Sequence, residues 1–169
     1  TLSGMANPKS AITVITEDGV ASCMLDILRN AKKDVGLVSP YLKLWGHLQD
    51  QIAAAIDRGV EVGILIREPD DGYFKPKEEE QIEWLLEIGV DVLTLEYLHA
   101  KIYFNEKDLV VSSMNLTEFS TKNARDIAIV IHDEEDQRPI RDYVETLVST
   151  AVLLHDEDDD DDDDEEDED

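Results

Sequence analysis

The 169-residue chain is 42% hydrophobic, which is enough for one domain around a single buried core. It has 41 acidic and 15 basic residues; 14 of the acids form the unbroken run Asp156–Asp169, and the remaining 27 still leave the rest of the chain at about −12. That charge disfavours unaided adhesion to nucleic acid or anionic membranes, because counterion release needs clustered Lys and Arg, and the single cysteine excludes an intrachain disulfide or a cysteine-rich zinc site.

In chain order, Ala11–Thr16 is a β-rich run, followed by a turn and an apolar series at Val20, Cys23, Met24, Ile27 and Leu28 with helical spacing. That spacing makes Cys23 a core thiol. Asp34–Ser39 is a second strand, ended by Pro40, and a helix runs from about Leu44 to Arg58, where Gly59 stops it. Val60–Ile66 is a third strand. A polar loop with Pro69, Gly72 and Pro76 leads to a helix over about Lys77–Ile88 and a fourth strand, Val90–Leu95. His99–Asn105 and Leu109–Ser112 form a hairpin, a short helix lies near Leu116, and the strand Asp126–Ile131 precedes a helix over about Arg138–Leu153. Strands alternating with helices imply an α/β sandwich with a mixed, largely parallel sheet and no internal repeat. Residues 1–10 read as an N-terminal extension, 11–155 as the domain and 156–169 as a disordered tail, since like charges repel and bury nothing. The tail is expected to be solvating; recruitment of a basic partner and mimicry of nucleic acid are the alternatives. No apolar run approaches the roughly 20 residues of a membrane span, and no export signal is visible, so a cytoplasmic location is expected.

His99 and Lys101 stand two apart on an expected strand, so they leave the same face together with Tyr103 and Asn105, while Ala100, Ile102 and Phe104 point to the core. An imidazole and an ammonium in one cleft suit an anionic substrate, although a half-exposed edge strand accounts for the pair equally well. Ser112, Ser113 and Asn115 follow where strand gives way to helix. Their polar groups, with the free N–H groups of a helix start, make a phosphate cradle; Asn115 with Glu118 also fits a capping box, and the two readings are compatible. Asp126 could accept the N–H of His99 and fix its tautomer, or be a solvated strand end.

His99-Ala100-Lys101, then Glu106, then Ser113-Met114-Asn115 resemble the phospholipase D superfamily signature, in which H-x-K, an acid and G-S-x-N follow in that order. Thr121-Lys122-Asn123 and Asp126 are similar to the T-K-N run and the acidic partner of its small nucleases, and Ser39-Pro40-Tyr41 and Arg58-Gly59-Val60 extend the likeness over about Ile12–Leu153. Two departures stand out: Glu106 replaces the usual aspartate, and Ser112 the usual glycine, in a hairpin one residue shorter than in some members. The second is expected to tighten the cradle and lower activity.

The resemblance implies a phospholipase D-like α/β/α sandwich and metal-independent phosphodiester cleavage, with no cofactor. One histidine attacks phosphorus to form a phosphohistidine, a histidine from a second copy of the motif protonates the leaving group, and water hydrolyses the adduct. His99, Lys101, Asn115 and Asp126 are then catalytic, Ser112, Ser113, Lys122 and Asn123 bind substrate, and Glu106 supports. His47, His132 and His155 lack a lysine two residues on, so the motif occurs once and a homodimer is expected to complete the site. A nuclease is the first expectation; a cardiolipin-type lipid hydrolase and a non-catalytic phosphate-binding or assembly module are the alternatives.

Overall fold

Short β-branched runs and one-sided apolar helices each leave a face to bury, and the chain satisfies them with one open sheet between two helical layers. The computed structural model describes residues 10–117 and 125–155. Residues 1–9, Lys122, Asn123, Glu118 of the expected capping box and the acidic tail lie outside them. The strands are β1 (Ile12–Thr16), β2 (Asp34–Val38), β3 (Glu61–Arg67), β4 (Asp91–Leu95), β5 (Ile102–Asn105), β6 (Leu109–Ser112), β7 (Ile127–Ile131) and β8 (Val152–Leu153). The helices are α1 (Gly19–Asn30), α2 (Gly46–Asp57), α3 (Pro76–Glu87) and α4 (Glu134–Thr150).

The sheet order is β1-β7-β6-β5-β2-β3-β4-β8. The expected sandwich with a mixed sheet is found, but the balance within the sheet differs from a largely parallel one. Among the described residues only β2–β3 and β3–β4 pair in parallel, and the other five neighbouring pairs are antiparallel. The cause lies in the connections. Helical crossovers place β2, β3 and β4 side by side, whereas β5, β6 and β7 return directly, and β1, although it runs with β2, is separated from it by those three.

Helices α1, α2 and α3 cover one face through Val20, Met24, Leu28, Leu48, Ile52 and Leu85. Helix α4 covers the other with a smaller cluster that includes Val38, Leu65, Ile102 and Val144. Each such side chain contributes roughly 1.5–3 kcal/mol. Cys23 is buried in α1 as expected, and burial, with Asp26 and Asp108 nearby, pushes its thiol up to about 11. Helix α4 begins a turn before its expected start. The Asp133 carboxylate accepts the N–H groups of Glu135 and Asp136, and three acids sit in the first turn. Pro139 therefore falls inside the helix.

Strand β5 corrects the expected division of faces. It begins only at Ile102, and Tyr103 and Asn105 are fully buried instead of facing a cleft. A strand with helical layers on both sides has no wet face, so their polar atoms are satisfied internally. Tyr103 Oη donates to the Met114 carbonyl at 2.6 Å. Asn105 Nδ2 donates to the Ile27 carbonyl, while its Oδ1 accepts the N–H groups of Lys107 and Asp108. Glu106 lies in the β5–β6 turn, at the end of the sheet away from His99, and accepts the N–H groups of Lys32 and Lys33 at 2.8 and 3.3 Å. Partial burial opposes ionisation of Glu106, yet the surrounding backbone N–H groups outweigh it and hold the carboxyl below its ordinary value.

Two stability measurements follow. Tyr103→Phe leaves a buried carbonyl without its donor and should cost about 1–3 kcal/mol, read as a lower urea midpoint at unchanged slope. A depressed carboxyl stabilises the fold above its unfolded value and loses that contribution as pH falls through its folded value. Glu106→Gln should therefore destabilise the protein at neutral pH and flatten the acid side of its stability profile.

Candidate active site

The chain leaves β4 and must cross the ends of β3 and β2 to reach β5, which pairs with the far side of β2. The crossing segment carries His99 and Lys101 along the carboxyl ends of the parallel strands, the edge at which open α/β sheets bind ligands. Strand β6 ends at this edge in Ser112, and β7 starts there, just after Asp126. The sheet topology thus gathers His99, Lys101, Ser112, Ser113, Asn115 and Asp126 at one end, although they come from three parts of the sequence.

His99 is exposed and Lys101 half-buried. Lys101 Nζ donates to the His99 carbonyl at 3.3 Å, and the Lys101 carbonyl accepts the Ser112 N–H at 3.1 Å, joining the two motif segments through the backbone. Asp126 is placed differently from expectation: its carboxylate accepts the Ser113 hydroxyl at 2.7 Å, and no hydrogen bond joins it to His99 among the described residues. Ser113 is fixed further by its Oγ accepting the Ile127 N–H and its own N–H donating to the Ile127 carbonyl.

The expected N–H cradle also differs. No helix begins between Ser113 and Thr117, and Leu116 instead bridges to Leu42. The N–H groups of Ser113, Met114 and Leu116 are committed to the Ile127 carbonyl, Ser112 Oγ and Ser39 Oγ. Ser112 Oγ in turn donates to the Ile127 carbonyl at 3.3 Å. The hydroxyl that stands where the signature has glycine is therefore spent on the turn, as are these three N–H groups. Asn115 keeps one acceptor unused: its Oδ1 is buried without a hydrogen-bond partner among the described residues. An orphaned carbonyl oxygen of this kind costs about 1–3 kcal/mol, and a ligand group that donates a hydrogen bond to it recovers that, whereas phosphate oxygens, which only accept, would call on the Asn115 Nδ2 instead.

One residue at this edge escaped the sequence reading. Arg67, at the end of β3, brings Nη1 to 3.5 Å from His99 Nε2 while Nη2 pairs with Asp70 at 2.9 Å. Its only sequence signal was a cation at the carboxyl end of a parallel strand. His132 lies at the other end of the sheet, between Asp108 and Thr13, and takes no part.

A family model described as the cardiolipin synthase, PLD-like domain matches residues 24–148, most of the chain. The chain belongs to the phospholipase D-like family. Among solved structures, this PLD-like chain is similar to Nuc, a phospholipase D family member from Salmonella typhimurium. The TM-score is 0.72 at 16% identity, over 86% of this chain and 98% of that one. NucT from Helicobacter pylori gives 0.72 at 14% identity, over 85% and 98%. A phosphatidylserine synthase from Haemophilus influenzae gives 0.66 at 14%, over 85% of this chain and 40% of its own. At such identities the likeness concerns the fold. No curated protein matches the PLD-like chain. Among the described residues no helix is long and apolar enough to cross a membrane.

The placement of Ser112 yields a direct expectation. Ser112→Ala removes a hydroxyl bonded only to backbone, so it should cost about 1 kcal/mol of stability and leave phosphodiesterase kcat/KM nearly unchanged. Chemical denaturation and steady-state kinetics on the same preparation measure both.

Proposed function

We propose that this PLD-like domain is a metal-independent nuclease that works through a phosphohistidine at His99, in a site completed by a second copy of the chain. The observation that carries this reading is the convergence of His99, Lys101, Ser113 and Asn115 on the carboxyl edge of the sheet, with His99 exposed there. In this reading an imidazole nitrogen of His99 forms a bond to phosphorus as the bond to the leaving alkoxide breaks. His99 of the second chain donates its proton to that alkoxide, and then, now neutral, takes a proton from the water that hydrolyses the adduct. Lys101 and Asn115 hold the phosphoryl oxygens, where negative charge gathers in the transition state. Asp126 acts through Ser113, whose hydroxyl it fixes. Lys122 and Asn123 keep the substrate-binding role their sequence pattern suggests.

His99 is exposed among the described residues at this edge. Among the described residues, two cavities of about 270 and 250 Å³ lie against Arg67 and Asp70, and neither is lined by His99 or Lys101. A partner covering that edge is what a shared site calls for. Nucleic acid is favoured over lipid because Thr121-Lys122-Asn123 and Asp126 resemble the corresponding residues of the superfamily's small nucleases. The family description and the phosphatidylserine synthase likeness favour a phospholipid diester as the second reading.

Hydrolysis of bis(p-nitrophenyl) phosphate, single-stranded DNA and cardiolipin vesicles in the presence of chelator tests the proposal. Activity should persist with chelator, be greatest on DNA, and fall by roughly 10³-fold or more in a folded His99→Ala variant. Turnover equal to wild type in that variant, or activity restored only by a divalent ion, would overturn it.

A further inference from the structure

The geometry points to Arg67 as a further substrate-binding residue of this site, one that grips a non-bridging oxygen of the phosphodiester attacked by His99. This rests on the phosphodiesterase reading above and adds a cation outside the motif. Arg67 is held by the sheet before any substrate arrives. Its N–H donates to the Pro40 carbonyl at 3.1 Å, and the next N–H, of Glu68, donates to the Leu95 carbonyl at 3.0 Å. The backbone is therefore pinned on both sides at the end of β3, beneath the segment that carries His99.

The Arg67–Asp70 pair does not account for where the Arg67 side chain lies. The Arg67 side chain is only 18% exposed, whereas its carboxylate partner Asp70 is 82% exposed. An ion pair whose carboxylate is open to solvent adds little to stability. The direction in which Arg67 points is informative instead: Asp70 occupies Nη2, and Nη1 is turned to His99 Nε2 at 3.5 Å. That contact is long and weak between these partners. A reactive complex places phosphorus about 3–3.5 Å from the attacking nitrogen, which brings its non-bridging oxygens within hydrogen-bond reach of Nη1. Anionic oxygen is a stronger acceptor than imidazole, and a planar guanidinium suits it better than an ammonium. Binding would draw Nη1 off His99 and leave the nitrogen lone pair free to attack. Lys101 approaches from the start of β5 and Arg67 from the end of β3, so the two cations grip from different strands. In a chain of net charge −26, local cations of this kind are what an anion needs to settle at this edge.

The test uses the full chain with Arg67→Ala, Arg67→Lys, Arg67→Gln and Asp70→Ala. Two readouts are taken: calorimetric titration with inorganic phosphate, and kcat and KM on bis(p-nitrophenyl) phosphate. Arg67→Ala should weaken phosphate binding about 10-fold and lower kcat/KM by roughly 10²-fold, with part of the loss in kcat. Arg67→Lys should recover part of both, and Asp70→Ala should stay within about threefold of wild type. Arg67→Gln, which keeps much of the packing, replaces the alanine variant if that does not fold. Phosphate binding by a folded Arg67→Ala or Arg67→Gln chain equal to wild type would overturn the assignment. So would equal losses in the Asp70 and Arg67 variants without rescue by lysine, since Arg67 would then only be holding its loop. If wild type binds phosphate but does not hydrolyse the diester, the hydrolase reading fails and the phosphate titration alone decides Arg67. If wild type does neither, both fail.

Discussion

A tyrosine hydroxyl buried in the middle of the sheet ties the site together. Tyr103 is fully buried, and burial pushes its phenol far above the ordinary range, so it remains a donor at any physiological pH. It must give its proton to an acceptor inside the protein, and the Met114 carbonyl is that acceptor. The residue two places after Lys101 is thereby bonded to the residue one place before Asn115. Ser39 secures the same floor, with Oγ accepting the Leu116 N–H and donating to the Tyr41 carbonyl. The two halves of the motif are held in register from below by buried groups whose hydrogen bonds are all internal.

Much of this architecture was legible in the sequence, since periodicity reports which faces are buried. Helix α1 could be read from Val20, Cys23, Met24 and Ile27, and the ends of α2 and α3 from Gly59 and Gly89, both at positive φ. The alternation His99-Lys101-Tyr103-Asn105 misled because polar residues at every second position usually mark a wet face. In a strand covered on both sides the same pattern marks internal hydrogen bonds, and a sequence does not distinguish the two. The start of α4 was expected a turn late because Asp133 stands in an acidic run, and its role as a cap shows only where its carboxylate meets the N–H groups of Glu135 and Asp136. The convergence of His99 with Arg67, 32 residues apart, depends on the crossing from β4 over β3, which no local pattern encodes.

The site residues divide into those that build and those available to act. Glu106, the acid of the motif, builds: it holds the α1–β2 turn at the far end of the sheet. Ser112, and the N–H groups of Ser113, Met114 and Leu116, build the turn that was expected to cradle phosphate. His99, Lys101, Asn115 and Arg67 keep donors or acceptors that the fold does not require. Replacing glycine by Ser112 therefore changes how the turn is held more than what it offers a ligand.

The central claim is that one chain carries half of a phosphodiesterase site. Subunit mixing tests it most directly: wild-type and His99→Ala chains are allowed to exchange, and specific activity is measured against the wild-type fraction. A site shared across a two-fold axis loses function in every mixed dimer, so activity should follow the square of that fraction. A linear dependence between chains shown to exchange would mean that each chain works alone, and the half-site account would be contradicted.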